Sequence, residues 1–192
     1  MKTLPVILLV GPSGSGKSTV ARILEWRNGW SQIASYTTRE PRYEGELGHT
    51  FVSDADFDEL TDLVAYTEYN GYRYCATARQ IDENELYVVD VAGVETLVNN
   101  YRGPKEFIVV IPWCDEQERF DRMKGRGDST ENVLKRLETD REMFDEVSWK
   151  LSDFVGEENV LLMDNMDARD IAVAVEEHLH MRGYEWEPAI GF

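Results

Sequence analysis

The sequence contains only two cysteines, Cys75 and Cys114, which stand far apart without the paired spacing of a zinc site. Neither a disulfide framework nor a zinc centre is expected, and both thiols are predicted to be reduced, as in the cytosol. Long apolar runs are also lacking, since none approaches the roughly 20 residues that span a bilayer. The short apolar run from Leu4 to Val10 leads directly into a glycine-rich loop, so a buried strand explains it better than a signal peptide. We therefore expect a cytoplasmic location and no membrane partner.

Basic residues are scarce: 20 Lys and Arg stand against 37 Asp and Glu, which gives a formal net charge of −17. A nucleic-acid polymer is not expected as a partner, because its phosphate backbone requires a surface rich in Lys and Arg. Most of the basic residues are Arg, whose planar guanidinium can bind two phosphate oxygens at once, so a few phosphates can still be bound locally. A salty habitat is an alternative explanation of the acidity.

A chain of 192 residues with 42% hydrophobic and 30% charged residues is predicted to form one globular domain, residues 1–192. Continuous aliphatic runs, typical of strands buried on both faces of a parallel sheet, occur at 6–10, 86–89, 107–111 and 160–163. Segments with helical spacing separate them. This alternation predicts an α/β fold, a central parallel sheet with helices on both faces.

Two segments interrupt the alternation, so we predict a core of residues 1–34, 83–114 and 151–192 with two additions. Residues 35–82 are rich in Tyr, Thr, Arg and Gly and are predicted to form an inserted lobe. Residues 115–150 are charged and helical and are predicted to form a lid, with Asp128 as N-cap and Glu131 in a capping-box position. A final helix is predicted from Ile171 to Met181, stopped by Gly183.

A phosphate-binding loop follows the first predicted strand and precedes a helix that is predicted to start near Ser18. Its residues match G-x-x-x-x-G-K-[ST] and predict an ATP site formed by Gly11, Ser13, Gly14, Ser15, Gly16, Lys17, Ser18 and Thr19. The glycines allow backbone N–H groups to converge on phosphate oxygens at a helix N-terminus. Lys17 is expected to reach the β- and γ-phosphates, and the Ser18 hydroxyl to bind Mg²⁺. The loop alone does not distinguish a GTPase, an ATPase and a kinase.

Beyond this loop the chain resembles the guanylate kinase family, whose motifs occur in the family's order. They are GPSGSGKST, SYTTREPR, FVSDADF, NGYRYCAT, VVDVAG and MKGRGDSTENVLKRL. The resemblance implies a P-loop NTPase fold with an acceptor-binding lobe at 35–82 and a helical lid at 115–150. It also implies an enzyme that uses ATP and Mg²⁺ to phosphorylate a nucleoside monophosphate.

The resemblance further implies a role for individual residues. Ser35, Arg39, Arg42 and Tyr74 would hold the phosphate of the acceptor nucleotide. Asp90 would lie near the metal and the reacting phosphates. Arg126 and Arg136 look like the family's lid arginines, which neutralise charge during transfer, and Arg141 is a weaker candidate.

The chain departs from the family pattern at the acceptor site. His49 stands where the family has a phosphate-binding tyrosine; it could donate to a phosphate oxygen or be a surface residue in a turn. The family's two guanine-reading side chains, a glutamate and a hydroxyl residue, fall at Ala65 and Ala76. Glu68 could substitute if the segment is helical, or it could simply face solvent. Val88 replaces a first aspartate, which leaves Asp90 as the acid of that strand.

GMP or dGMP is the first acceptor to consider, and the two alanines predict weaker discrimination of the base. The alternatives are a kinase for another nucleoside monophosphate or small phosphate ester, and a non-catalytic protein-binding module. The P-loop lysine and the lid arginines favour an enzyme. We expect a monomer or homodimer whose partners are ATP and the acceptor.

Overall fold

The structure is a computed structural model that describes residues 2–41, 44–69, 71–144 and 147–189. The strands are β1 Val6–Leu9, β2 Ser35–Thr37, β3 His49–Phe51, β4 Thr67–Tyr69, β5 Tyr72–Cys75, β6 Leu86–Val88, β7 Phe107–Trp113 and β8 Val160–Asp164. The α-helices are α1 Lys17–Asn28, α2 Asp54–Asp58, α3 Ala78–Glu83, α4 Val91–Asn100, α5 Glu116–Gly125, α6 Thr130–Phe144, α7 Val147–Val155 and α8 Ala168–Met181.

The central sheet is parallel and has the strand order β6-β1-β7-β8. Each of its strands coincides with one of the four aliphatic runs. In β1, Leu8 pairs with Tyr87 of β6 on one side and with Val109 of β7 on the other. All four residues of β1 are buried, as a strand in the middle of a parallel sheet must be.

Both faces of this sheet are covered by helices, because successive side chains of a strand point to opposite sides. One apolar cluster contains Val6 and Leu8 of β1 together with buried residues of α4 and α7. The other contains Ile7 and Leu9 together with buried residues of α1 and α8. The predicted α/β fold is confirmed.

A second, mixed sheet lies within residues 35–75 and has the order β3-β2-β5-β4. Strand β2 pairs in parallel with β3 and antiparallel with β5, and β5 pairs antiparallel with β4. The register places Ser35 opposite His49, which brings together two side chains that are 14 positions apart in the sequence.

Helices α5 and α6 pack on each other around Met123, Val133 and Leu137. The predicted N-cap of α6 at Asp128 is wrong. The Oγ of Ser129 accepts a hydrogen bond from the backbone N–H of Asn132 at 3.2 Å, so Ser129 is the cap. Asp128 instead forms ion pairs with the arginines described below.

Helix α8 begins three residues before the predicted start. The side chain of Asp167 accepts hydrogen bonds from the N–H groups of Arg169 and Asp170 and therefore caps the helix at Ala168. At the other end the chain turns at Gly183, where φ is +77°. None of the helices in the described part of the chain is both long and apolar enough to cross a membrane.

Candidate active site

A cavity of about 530 Å³ lies at the carboxyl ends of β1 and β6, between the glycine-rich loop, the second sheet and α6. This edge of an open α/β sheet is where such folds bind ligands. The predicted site residues that line the cavity are Gly11, Ser13, Lys17, Ser35, His49, Tyr74, Asp90 and Arg136. Those that lie outside its lining are Gly14, Ser15, Gly16, Ser18, Thr19, Arg39, Glu68 and Arg126. Arg42 lies outside the described residues.

The glycine-rich loop joins β1 to α1 as predicted. Gly14 and Gly16 have φ of +82° and +104°, a backbone conformation that favours glycine. A Cβ at Gly14 would lie 2.8 Å from the carbonyl oxygen of Arg119 in α5, so a larger residue would not fit there. The first N–H groups of α1 have no partner within the helix, which makes the loop a suitable binding site for an anion.

The Lys17 ammonium is enclosed by this loop, although part of the side chain is accessible to solvent. Its Nζ donates hydrogen bonds to the carbonyl oxygens of Gly11 at 2.6 Å and Pro12 at 2.9 Å. Burial lowers the pKa of Lys17 to about 8; Asp140 opposes this shift, and Arg136 adds to it. The free loop therefore holds a lysine that is only partly charged in mildly alkaline solution.

An acidic residue that the sequence did not reveal also contacts the loop. The carboxylate of Asp140 accepts a hydrogen bond from the backbone N–H of Ser13 at 2.8 Å and forms an ion pair with Arg119 at 3.0 Å. Both charged side chains are largely buried, with 10% and 5% of their surface exposed. This contact ties α5 and α6 of the lid segment to the phosphate-binding loop.

We expect Asp140→Ala to lower the free energy of unfolding by about 3 kcal/mol, because it removes the nearer carboxylate from the buried Arg119 and leaves only the longer contact of 4.0 Å to Glu116 among the described residues. Denaturant unfolding measures this loss. Asp140→Asn, which keeps an acceptor for the Ser13 N–H, should lose less, and Asp153→Ala, at an exposed position of α7, should lose little. A loss below about 1 kcal/mol for Asp140→Ala would contradict a stabilising role of the pair.

The three arginines proposed for the lid lie in different environments. Arg136 lines the cavity, and its Nε lies 3.2 Å from the Oγ of Ser13. Arg126 is exposed and pairs with Asp128 at 3.6 Å. Arg141 pairs with Glu116 on the surface. Only the first of the three is at the phosphate-binding loop in this conformation.

One face of α6 forms the wall of the cavity opposite the sheet. The residues concerned recur at intervals of three and four positions, which places them on one side of a helix. They are Asn132, Lys135, Arg136, Thr139, Asp140 and Met143. This polar helical stripe is the signal by which Lys135 and Asp140 could have been found from the sequence.

The predicted acceptor-phosphate residues lie at the second sheet. The Oγ of Ser35 lies 2.9 Å from the Nδ1 of His49, and the rings of His49 and Tyr74 are 5.8 Å apart between centroids. His49 therefore faces the cavity rather than solvent. The Arg39 guanidinium is held away from the lining by Glu46, at 2.8 Å.

The two alanines that stand where the family has guanine-reading side chains are both buried. Ala65 is part of the lining and Ala76 is fully buried. The premise that the segment around Glu68 is helical is wrong, because Glu68 is the middle residue of strand β4. Its neighbours Thr67 and Tyr69 face the cavity, whereas Glu68 points to the other side and accepts a hydrogen bond from Tyr66.

Asp90 follows β6 and is the N-cap of α4. Its carboxylate accepts hydrogen bonds from the Gly93 N–H at 2.6 Å and the Thr67 hydroxyl at 3.3 Å. Burial raises the pKa of Asp90, and these two hydrogen bonds oppose the shift. The side chain thus joins the edge of the parallel sheet to the second sheet.

Known proteins share this combination of sequence and fold. The family described as AAA domain matches residues 7–146. Guanylate kinase of Thermobifida fusca (strain YX) is 35% identical over 149 residues, which cover 70% of this chain and 74% of that protein. The chain belongs to the guanylate kinase family. Guanylate kinase of Helicobacter pylori is 32% identical over 146 residues, which cover 69% of each protein. The crystal structure of guanylate kinase from Anaplasma phagocytophilum has a TM-score of 0.60 at 18% identity, covering 96% of this chain and 89% of that one, and shows the same fold.

Membership of the guanylate kinase family confirms the resemblance inferred from the motifs. The described residues contain no group of three or more His, Cys, Asp or Glu that could hold a metal ion by themselves. Mg²⁺ does not need such a group, because it is usually bound by one or two protein oxygens together with phosphate and water oxygens. The Ser18 hydroxyl, which is exposed, and the Asp90 carboxylate are oxygen donors of this kind.

Proposed function

We propose that this chain transfers the γ-phosphoryl group of ATP to a nucleoside monophosphate, with GMP or dGMP as the first acceptor to test. The observation that carries the proposal is a single cavity lined both by Lys17 of the phosphate-binding loop and by Ser35, His49 and Tyr74 of the second sheet. One cavity with two phosphate-binding ends suits a reaction between two phosphorylated substrates. The similar proteins are named guanylate kinase, which supports the proposed reaction.

At the donor end, the loop N–H groups and Lys17 would hold the phosphates of ATP. Ser18 and Asp90 would hold Mg²⁺, which would neutralise part of the phosphate charge. The chain's own contribution is to position the phosphates and to surround them with cations. Lys17 and Arg136 are the cations that line the loop end of the cavity here.

At the acceptor end, Ser35, His49 and Tyr74 would bind the phosphate of the monophosphate. The Arg39 guanidinium is paired with the Glu46 carboxylate, so it would have to leave that carboxylate in order to bind the acceptor phosphate. Arg42 completes the set implied by the family. The hydroxyl, imidazole and guanidinium donors together suit a phosphate monoester.

The lid would move during the reaction. Arg126 does not line the cavity in this conformation, so it would reach the phosphates only after the segment 115–150 closes towards the lobe 35–82. Closure would also exclude water, which would otherwise accept the phosphoryl group. Closure around ATP would rearrange the hydrogen bond that the Asp140 carboxylate accepts from the backbone N–H of Ser13.

The function is tested by a coupled assay of ADP release, with ATP, Mg²⁺ and a panel of nucleoside monophosphates. Acceptor-dependent release of ADP is expected, together with a nucleoside diphosphate product. Transfer only to a phosphate ester that is not a nucleotide would contradict the proposed acceptor class. Absence of transfer to every acceptor would contradict the proposal that the chain is an enzyme. We further propose a cytoplasmic location, with ATP and the monophosphate as partners.

The affinity for ADP is expected to fall above pH 8, because Lys17 has a pKa of about 8 in the free protein. Below this pH the ammonium is charged and ready to bind phosphate. Above it, binding must take up a proton, so the dissociation constant should rise by about tenfold per pH unit. Titration calorimetry between pH 7 and pH 9.5, in buffers of different ionisation enthalpy, measures both the affinity and the proton uptake.

Lys17→Arg is the control for this pH dependence, since a guanidinium stays charged throughout the range. Its affinity for ADP should vary little between pH 8 and pH 9.5. A natural protein whose ADP affinity is equally flat, with no proton uptake on binding, would show that the Lys17 ammonium is not the titrating group.

A further inference from the structure

The Asp140 carboxylate places a negative charge on a backbone N–H of the phosphate-binding loop. Its Oδ2 accepts a hydrogen bond from the Ser13 N–H at 2.8 Å, and its Oδ1 accepts one from the Ser13 Oγ at 3.4 Å. The Nε of Arg136 donates to the same Ser13 hydroxyl at 3.2 Å. A carboxylate and a phosphate both bind such donors through anionic oxygens, so Asp140 and a nucleotide phosphate compete for the Ser13 N–H.

The Arg119 guanidinium holds the Asp140 carboxylate in this position. The two charged groups are 3.0 Å apart, and the side chains of Arg119 and Asp140 are 5% and 10% exposed. The Nε of Arg119 is buried and has no hydrogen-bond partner among the described residues. Apolar residues of similar volume often stabilise a protein as well as a buried ion pair does, and an unsatisfied buried N–H adds a further cost. Stability of the fold alone therefore does not account for this pair.

The contact joins two parts of the molecule that are expected to move relative to one another. Asp140 belongs to α6 and Arg119 to α5, both within the lid segment, whereas Ser13 belongs to the loop that follows β1. Asp140 and Ser13 both line the cavity, so a phosphate that enters the cavity can reach the hydrogen bond between them. A phosphate that takes the Ser13 N–H therefore also removes a contact between the lid and the core.

We propose that Asp140 is an autoinhibitory latch, a carboxylate that occupies the Ser13 N–H in the free protein and is displaced by a phosphate of the bound nucleotide. The inference rests on the proposed function, because it needs a nucleotide phosphate at this loop. The latch lowers the apparent affinity for the nucleotide, since part of the binding free energy is used to open it. It also couples the two events, because the lid helices are released from the loop when the nucleotide binds.

Asp140→Asn should bind ADP about tenfold more tightly than the natural protein, because a neutral amide oxygen is a weaker competitor for the N–H than a carboxylate. Inorganic pyrophosphate, which has no base or sugar, should gain by a similar factor. Titration calorimetry measures both dissociation constants. The charge of Asp140 raises the pKa of Lys17, so the comparison is made at about pH 6.5, where Lys17 stays charged after that charge is removed.

Two further variants separate competition from a general change of charge. The double variant Arg119→Met/Asp140→Ala removes one positive and one negative charge, so the net charge beside the loop is unchanged while the Ser13 N–H is freed. It should keep most of the gain in affinity for ADP. Glu142→Gln is the matched control, because it removes a carboxylate from an exposed position of the same helix, outside the cavity lining, and should leave the affinity unchanged.

Stability measured with and without ADP distinguishes a latch from a residue that only stabilises the fold. Asp140→Asn should be less stable than the natural protein when no nucleotide is present. The same high concentration of ADP should then stabilise the variant more than the natural protein, by the amount that corresponds to the tenfold tighter binding. A purely structural role would give the same loss of stability with and without ADP.

The outcomes separate the latch from the proposed function. Equal or weaker binding of ADP by Asp140→Asn, or a gain that disappears in the double variant, would overturn the latch and leave the kinase standing if phosphoryl transfer is observed. Tighter binding in both variants without phosphoryl transfer would support the latch and contradict the kinase. Failure of every protein to bind ADP and pyrophosphate would overturn both. If Asp140→Asn does not fold, the double variant, whose new side chains are apolar, decides the comparison.

Discussion

Lys17→Ala is expected to reduce phosphoryl transfer by about 100-fold or more, because it removes a cation from the site where charge develops in the transition state. The Lys17 amine is already directed into the phosphate-binding loop, where it bonds the carbonyl oxygens of Gly11 and Pro12. Incoming phosphates would replace these carbonyls as its partners. The initial rate of ADP release, at saturating ATP and acceptor, measures the loss.

The fold should survive this substitution, because the side chain lies at the loop rather than in either apolar cluster. Circular dichroism and the thermal transition verify this for the variant. Lys150→Ala removes a lysine from an exposed position of α7 and should leave the rate unchanged. Normal turnover by a well-folded Lys17→Ala protein would show that another group neutralises the phosphates.

The central sheet could be predicted from the sequence because its signal is local. Each of its strands is a continuous aliphatic run, and such runs arise where both faces of a strand are buried. The phosphate-binding loop is local in the same sense, since strand, glycines and helix follow one another within residues 6–28. No distant residue is needed to recognise either feature.

It is harder to predict which way each side chain of a short strand faces than to predict that a long strand exists. Strand β4 has only three residues, too few to show an alternating pattern, so a helix was an equally acceptable hypothesis for Glu68. The difference decides its role, because neighbouring residues of a strand face opposite ways. Once β4 is a strand, Thr67 lines the cavity and Glu68 does not.

Contacts between distant segments could not be predicted from local patterns at all. Asp140 and Ser13 are 127 positions apart, and only the packing of α6 over the loop brings them together. The same holds for Tyr87, which the sequence shows only as a residue of a buried strand but which lines the cavity.

Arg136→Ala is the second substitution with a large expected effect, a decrease in kcat of about 100-fold with a smaller change in the KM of the acceptor. Arg136 lines the cavity beside the phosphate-binding loop, with its Nε 3.2 Å from the Oγ of Ser13 and its Nη1 3.7 Å from Asp128. A guanidinium there can donate to two phosphate oxygens as their charge increases during transfer. Steady-state kinetics with both substrates varied separates the effect on kcat from that on KM.

The conservative variant distinguishes loss of charge from loss of geometry at this position. Arg136→Lys keeps the charge but cannot form two parallel hydrogen bonds, so it should recover only part of the rate. Arg169→Ala, which removes an exposed arginine from α8, should behave as the natural protein. If Arg136→Ala instead raised KM and left kcat unchanged, Arg136 would bind the substrate equally well before and during the reaction. Lys17, Arg126 and Mg²⁺ would then neutralise the charge of the phosphoryl group during its transfer.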